Sequence, residues 1–292
     1  MTLLPVLEIG GTHVTAALVD TDTWTVVRET RGHIRALGSA DEILDDVIER
    51  ARELDVAPGA VWAVAIPGPF DLENGVGLYE NVGKFDSLHG VDVRAVLERE
   101  LSPSSVVFIN DADAFGVGEF VLGVGHGGDR VIAITLGTGV GSAFIDRGAP
   151  VTTGDDVPLD GEIHFVDYAG SPIEDTVSRR AIIADYRAAT GVDTDVKEIA
   201  DAARSGEAAA AAVLDRAFSA LGHALSEWVV RFSADVVLIG GSMARSWDLI
   251  EPSLRAGLER GEPALRALDV RPVEQAEHAP LVGAAHWALS QS

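Results

Sequence analysis

The chain has 292 residues, enough for a large buried core and, on length alone, about two domains. Its 46 acidic and 22 basic side chains give a formal net charge of -24, which repels the phosphates of nucleic acids and anionic membranes and argues against either as partner. Cysteine is absent, which excludes disulfides, a thiol nucleophile and cysteine-ligated zinc.

The N-terminus "MTLLPVLEIGG" has no basic region ahead of its apolar residues and meets a turn at Gly10; no apolar run reaches membrane-spanning length. The expected location is the cytoplasm. The first elements read as strand "PVLEI", turn "GGT" and strand "HVTAALVD". Next, "SADEILDDVIERARELD" places Ile43, Leu44, Val47 and Ile48 on one helical stripe behind an N-cap candidate at Ser39. "AVWAVAI" follows as a buried strand closed by "PGP", then "VDVRAVLERELS" as a helix and "SVVFIND" as a strand with a polar end.

A second half opens at "VIAITLGTGVGSAFID" and repeats the first: apolar strand, glycine turn, apolar strand, closing aspartate (Asp20 in one copy, Asp146 in the other). After it come the alanine-rich helical run "GEAAAAAVLDRAFSALGHALSEWVVRFS", the strand "DVVLIGGS", the helix "SWDLIEPSLRAGLER" and the closing helix "PLVGAAHWALSQ". Alternation of strands and helices predicts an α/β architecture with mixed sheets.

Glycine hairpins lend backbone N–H donors without a side chain in the way, so two of them suit the gripping of a polyphosphate. Neither common phosphate fingerprint fits. No Gly-Lys-Ser/Thr is present, and after Gly137, Gly139 and Gly141 the chain continues as strand rather than helix. The Gly240-Gly241 turn offers bare backbone on which an adenosine could lie, or is plain turn chemistry. Asp111 stands where a buried strand emerges, and is either a base reaching a bound hydroxyl or a helix cap. Glu162 and His164, two apart, share a face if "GEIHF" is a strand; Glu174 lies at a helix start. Two carboxylates and an imidazole suit a polyhydroxylated ligand, or serve as a dipole partner and a satisfied histidine.

In their order, "LEIGGTHVTAALVD", "VAIPGPFD", "INDADAFGVGEF", "ITLGTGVGSAFI" and "VLIGGSM" resemble the motifs of the ROK family of sugar kinases, across nearly the whole chain. The resemblance implies a two-domain actin-like ATPase (ribonuclease H-like) α/β fold, with duplicated mixed β-sheets flanked by helices. It implies a small domain of residues 1–112 plus 281–292, a large domain of residues 113–280 and an active-site cleft between them. The implied activity is that of an ATP-dependent kinase acting on a hydroxyl of a glucose- or N-acetylhexosamine-type sugar, with ATP and Mg2+ as cofactors and Asp111 as general base. By the same resemblance Gly68, Asn81, Asn110, Asp111, Glu162, His164 and Glu174 bind substrate. Gly10, Gly11, Thr12, His13, Gly137, Thr138 and Gly139 line the phosphates, Gly241 meets the adenosine, and Glu8 stands near the magnesium waters. A homodimer is the family's common assembly.

Three departures from the family pattern stand out. "GEIHF" is one residue shorter than the family's Glu-x-Gly-His, and "VDYAGSPIED" has no cysteine, so no zinc site is expected. His13 replaces a frequent lysine, and Asp113 replaces an asparagine. The reshaped motif keeps a C7-cyclitol or other sugar-like polyol open as acceptor. The rival class is a non-catalytic sugar-binding sensor or regulator; those usually carry a DNA-binding helix-turn-helix ahead of the first hairpin.

Overall fold

The computed structural model describes residues 2–123, 128–273 and 277–291. It divides into two compact units, Met1–Val124 with Glu277–Ser292, and Gly125–Ala276.

In the first unit the described residues form a five-stranded sheet from β1 (Leu3–Ile9), β2 (His13–Asp20), β3 (Thr25–His33), β4 (Val61–Ile66) and β5 (Ser105–Asn110), in the order β3-β2-β1-β4-β5. β1 and β2 are antiparallel across the Gly10–Thr12 turn, whereas β1, β4 and β5 run parallel. The registers Glu8↔Ala65, Ala65↔Ile109 and Ile66↔Asn110 bring the carboxyl ends of all three parallel strands to one edge, where open α/β sheets bind ligands. β4 is buried along nearly its whole length, which explains its unbroken apolar sequence.

Helix α1 (Ala40–Arg52) starts on a capping box: Ser39 Oγ accepts from the Glu42 N–H (3.3 Å), and Glu42 Oε2 accepts from the Ser39 N–H (2.9 Å). The predicted stripe Ile43, Leu44, Val47 and Ile48 is its buried face. Helix α2 (Val93–Leu101) leads into β5, and α3 (Asp111–Leu122) leaves it directly.

The C-terminal helix Ala279–Ser290 returns to this unit and packs on α3. The two backbones touch at glycines. A Cβ on Gly283 would stand 1.8 Å from the Ala114 carbonyl oxygen, and one on Gly118 would stand 1.8 Å from that of Ala279. Through this contact α3 belongs to the first compact unit.

The second unit has a sheet of the same design. β6 (Arg130–Leu136), β7 (Val140–Asp146), β8 (Ala149–Pro150), β9 (Val236–Gly240) and β10 (Asp269–Pro272) lie in the order β8-β7-β6-β9-β10. The β6–β7 hairpin is antiparallel, and β9 and β10 add in parallel, as β4 and β5 do in the first sheet. The self-similarity of the two hairpins is therefore a duplicated topology. Short α4 (Glu174–Val177), then α5 (Arg179–Thr190), α6 (Val196–Arg204), α7 (Ala208–Phe232) and α8 (Trp247–Gly261) flank this sheet. Among the described residues no helix is long and apolar enough to cross a membrane.

Candidate active site

In the first unit the site is built on the carboxyl edge of the parallel strands. β1 ends at Ile9 and the chain reverses through Gly10, Gly11 and Thr12, with the Gly10 N–H donating to the His13 carbonyl (2.9 Å). Thr12 Oγ1 and His13 Nδ1 lie 3.0 Å apart, so these two side chains engage each other. β4 ends at Ile66 and is followed by Pro67 and Gly68, and the Pro67 carbonyl accepts from the Tyr79 hydroxyl (2.6 Å). Asn81 follows on an exposed loop with a left-handed backbone, φ 60°.

β5 delivers Asn110 and Asp111. Asn110 is the N-cap of α3: its Oδ1 accepts from the N–H of Ala112 (2.9 Å) and of Asp113 (3.3 Å). The capping role thus falls to Asn110, and the oxygen of its carboxamide is committed to the helix. Asp111 is the first helical residue, with Oδ1 also accepting from the Ala112 N–H (2.9 Å). Burial pushes its carboxyl up, while the N–H groups of Ala112 and of Asp111 itself pull down.

Glu8 shares a cross-strand row with Thr15 on β2 and Ala65 on β4. Its carboxyl is pushed up to about 7, first by burial; Arg31 lowers it, the charge of Asp111 raises it, the Thr15 hydroxyl lowers it and Glu29 raises it. Tyr79, unnoticed in the sequence, belongs to the same neighbourhood: burial raises its phenol, and the Asp111 charge raises it further. An aromatic flanked by loop residues gave no periodic signal by which to find it.

In the second unit the Gly137–Thr138–Gly139 turn is closed by the Gly137 N–H donating to the Gly139 carbonyl (3.0 Å). The Arg179 N–H, at the start of α5, donates to the Gly137 carbonyl (3.2 Å). Glu174, the first residue of α4, braces this turn: its Oε1 accepts from the Val140 N–H (3.2 Å). A Cβ on Gly139 would stand 2.6 Å from that oxygen, so the bare glycine makes room for the carboxylate. Gly241 lies against the end of β6, its φ is 86°, and a Cβ there would stand 2.3 Å from the Leu136 carbonyl oxygen. Both the close approach and the backbone conformation require glycine.

"GEIHF" is not a strand. Leu159–Gly161 and Ile163–Phe165 form two 3-10 turns, with Asp160 and Gly161 at positive φ, 56° and 73°. The buried Ser142 hydroxyl of β7 fastens them, donating to the Gly161 carbonyl (2.7 Å) and accepting from the Ile163 N–H (2.8 Å). Glu162 and His164 still meet, with Glu162 Oε2 and His164 Nε2 3.3 Å apart. Burial lowers the His164 imidazole below its ordinary value and the Glu174 charge opposes this, so Glu162, His164 and Glu174 are gathered in one place.

Two sheets of one topology, each opened by a glycine hairpin, place the chain in the class of two-domain actin-like α/β proteins. The ROK family model matches residues 6–291, and the chain belongs to the ROK family. It is similar to the glucokinase of Thermotoga maritima, with 28% identity over 277 residues, 85% of this chain and 84% of that protein. It is also similar to the N-acetylmannosamine kinase of Yersinia pseudotuberculosis, with 22% identity over 301 residues and 97% of each chain covered. Among solved structures, the ROK hexokinase from Thermus thermophilus superposes with a TM-score of 0.82 at 21% identity over 100% of both chains, a likeness of fold.

Proposed function

We propose that this protein transfers the γ-phosphoryl group of ATP to a hydroxyl of a hexose-type sugar, with Asp111 as general base. The observation that carries the reading is Asp111 itself: a carboxyl placed by β5 at the ligand edge of the sheet, with its proton affinity raised by burial while Asn110 caps the helix in its stead. A raised carboxyl is a stronger base than an exposed one, and general bases contribute roughly 10²–10⁴-fold. The curated relatives carrying the names glucokinase and N-acetylmannosamine kinase support a hexose or an N-acetylhexosamine as acceptor.

In this reading the attacking hydroxyl gives its proton to Asp111 as its oxygen bonds to the γ-phosphorus and the bond to the bridging oxygen of ADP breaks. The N–H groups of Gly11, Thr12, Thr138 and Gly139 hold phosphate oxygens; Gly10 and Gly137, whose own N–H groups close the two turns, line the phosphates as bare backbone with His13 beside them, while Gly241 offers bare backbone to the adenosine. Glu162, His164 and Glu174 hold sugar hydroxyls, the lowered imidazole staying neutral so that it can both donate and accept. Asn110, Gly68 and Asn81 complete the acceptor contacts. Phosphoryl transfer rests mainly on such positioning and on charge stabilisation.

A magnesium ion fits the donor set, because Glu8 is a carboxyl at the first turn whose charged form is disfavoured by burial and by Asp111 and would be favoured by a cation. Held by Glu8 through water, the ion would supply neutralisation of the nucleotide's phosphates.

ADP release from Mg-ATP, measured against glucose, mannose, N-acetylglucosamine, N-acetylmannosamine and a panel of cyclitols, tests the proposal. Turnover on a hexose or N-acetylhexosamine supports it. Turnover restricted to cyclitols moves the acceptor class, and sugar binding without turnover on any acceptor points to the sensor reading instead.

A further inference from the structure

Lysine is scarce in this chain, with Lys84 and Lys197 against 20 arginines (22 basic side chains in all). Lys197 is committed to the surface of α6, where it pairs with Asp201 at 2.9 Å. Lys84 has no ion pair or hydrogen bond among the described residues, although the chain holds 46 carboxylate side chains. Its side chain lies instead over the first glycine turn. A Cβ on Gly11 would stand 2.6 Å from Lys84 Nζ, 3.1 Å from its Cδ and 3.4 Å from its Cε.

The loop around it is built to present that ammonium. Phe85 is buried with a left-handed backbone, φ 62°, packs on Tyr79 at 5.5 Å between ring centroids, and donates its N–H to the Ala36 carbonyl (2.8 Å). On the other side of Lys84, Asp86 Oδ1 accepts from the N–H of Val82 (2.9 Å) and of Gly83 (3.1 Å). The residues flanking Lys84 are therefore anchored, and its stem rests on backbone left bare by Gly11. Neighbouring side chains have other partners: the His13 ring meets Thr12 Oγ1 (3.0 Å), and Arg31 lies across from Thr15 and lowers the carboxyl of Glu8.

We propose that Lys84 is a further catalytic residue, its ammonium contacting the phosphoryl group in transfer at the Gly10–Thr12 turn. An ammonium with no carboxylate partner among the described residues, over a turn of N–H donors in a chain of net charge -24, creates a local positive site for a polyanion that the rest of the surface repels. A lysine serves here as a point charge: it neutralises phosphate oxygens without exchanging a proton, while the hydroxyl proton goes to Asp111 and ADP leaves.

The inference rests on the kinase reading, so its test has a readout independent of turnover. Lys84→Met keeps the stem and removes the charge; Lys84→Arg keeps the charge. By calorimetry, wild type and Lys84→Arg are expected to bind pyrophosphate, and Lys84→Met to bind it at least about tenfold more weakly. In turnover, Lys84→Met is expected to lose roughly 10²–10³-fold in kcat/KM for ATP, the scale of a lost transition-state contact, with the dissociation constant of the sugar unchanged. Absence of pyrophosphate binding by wild type, or equal binding by wild type and Lys84→Met, overturns the proposal. If no acceptor turns over in wild type, the kinase reading fails while the pyrophosphate comparison still decides whether Lys84 holds phosphate.

Discussion

Glu119 sits inside α3, only 1% exposed, and neither carboxyl oxygen has a hydrogen-bond partner among the described residues. Burial alone raises its carboxyl from 4.5 to about 7. The folded chain therefore binds this proton more tightly than the unfolded chain does. The stability that follows is full below about pH 4.5 and is lost as pH rises through about 7. A shift from 4.5 to about 7 corresponds to roughly 3 kcal/mol across that window.

Glu119→Gln removes the titration and keeps the shape. An amide without a partner has its own cost, but that cost does not vary with pH, so the readout is the difference between two conditions. Thermal melting of wild type and Glu119→Gln at about pH 5 and about pH 8 should show the variant gaining on wild type by roughly 3 kcal/mol, or about 6–12 °C in Tm at 2–4 °C per kcal/mol. Parallel Tm profiles at the two pH values would mean that the Glu119 carboxylate finds a partner in solution.

Gly283→Ala would press a methyl group to 1.8 Å from the Ala114 carbonyl oxygen and force α3 away from the C-terminal helix. A loss of about 1–3 kcal/mol is expected, read as a lower Tm, with kcat falling as well because α3 begins at Asp111. An unchanged melting curve would contradict that packing. Glu174→Ala removes the acceptor of the Val140 N–H and leaves the second glycine turn unbraced, so KM for ATP should rise roughly tenfold, about 1–1.5 kcal/mol, whereas Glu174→Gln, which keeps an acceptor oxygen, should stay near wild type. Equal ATP KM values for Glu174→Ala and wild type would show that the brace does not matter to the turn.

Legibility in the sequence followed the range of the interactions. Both hairpins could be read because a glycine turn between two apolar runs is local, and the carboxyl end of β5 could be read because Asn110 and Asp111 interrupt a buried strand. The 3-10 turns at Glu162 and His164 could not. The alternation of Gly161, Ile163 and Phe165 with polar residues imitates a strand, and the hydroxyl that decides otherwise is Ser142, distant in the chain. The brace from Glu174 to Val140 and the ammonium of Lys84 over Gly11 are likewise tertiary, each joining segments far apart in sequence. The approach of Gly118 and Gly283, which ties α3 to the C-terminal helix, is tertiary in the same way, and no local pattern announces it. β3 escaped the reading because it is largely exposed and carries no continuous apolar run.

The proposed transfer depends on Asp111 taking the proton of the attacking hydroxyl. Its most direct test compares Asp111→Asn with wild type on the preferred acceptor, measuring kcat together with the dissociation constants of acceptor and nucleotide. With Asp111 as the base, kcat is expected to fall roughly 10²–10⁴-fold, with acceptor and nucleotide binding retained within about threefold. A variant that keeps kcat within about threefold of wild type would contradict it, and would leave Asp111 as a residue of the α3 helix start with no part in the chemistry.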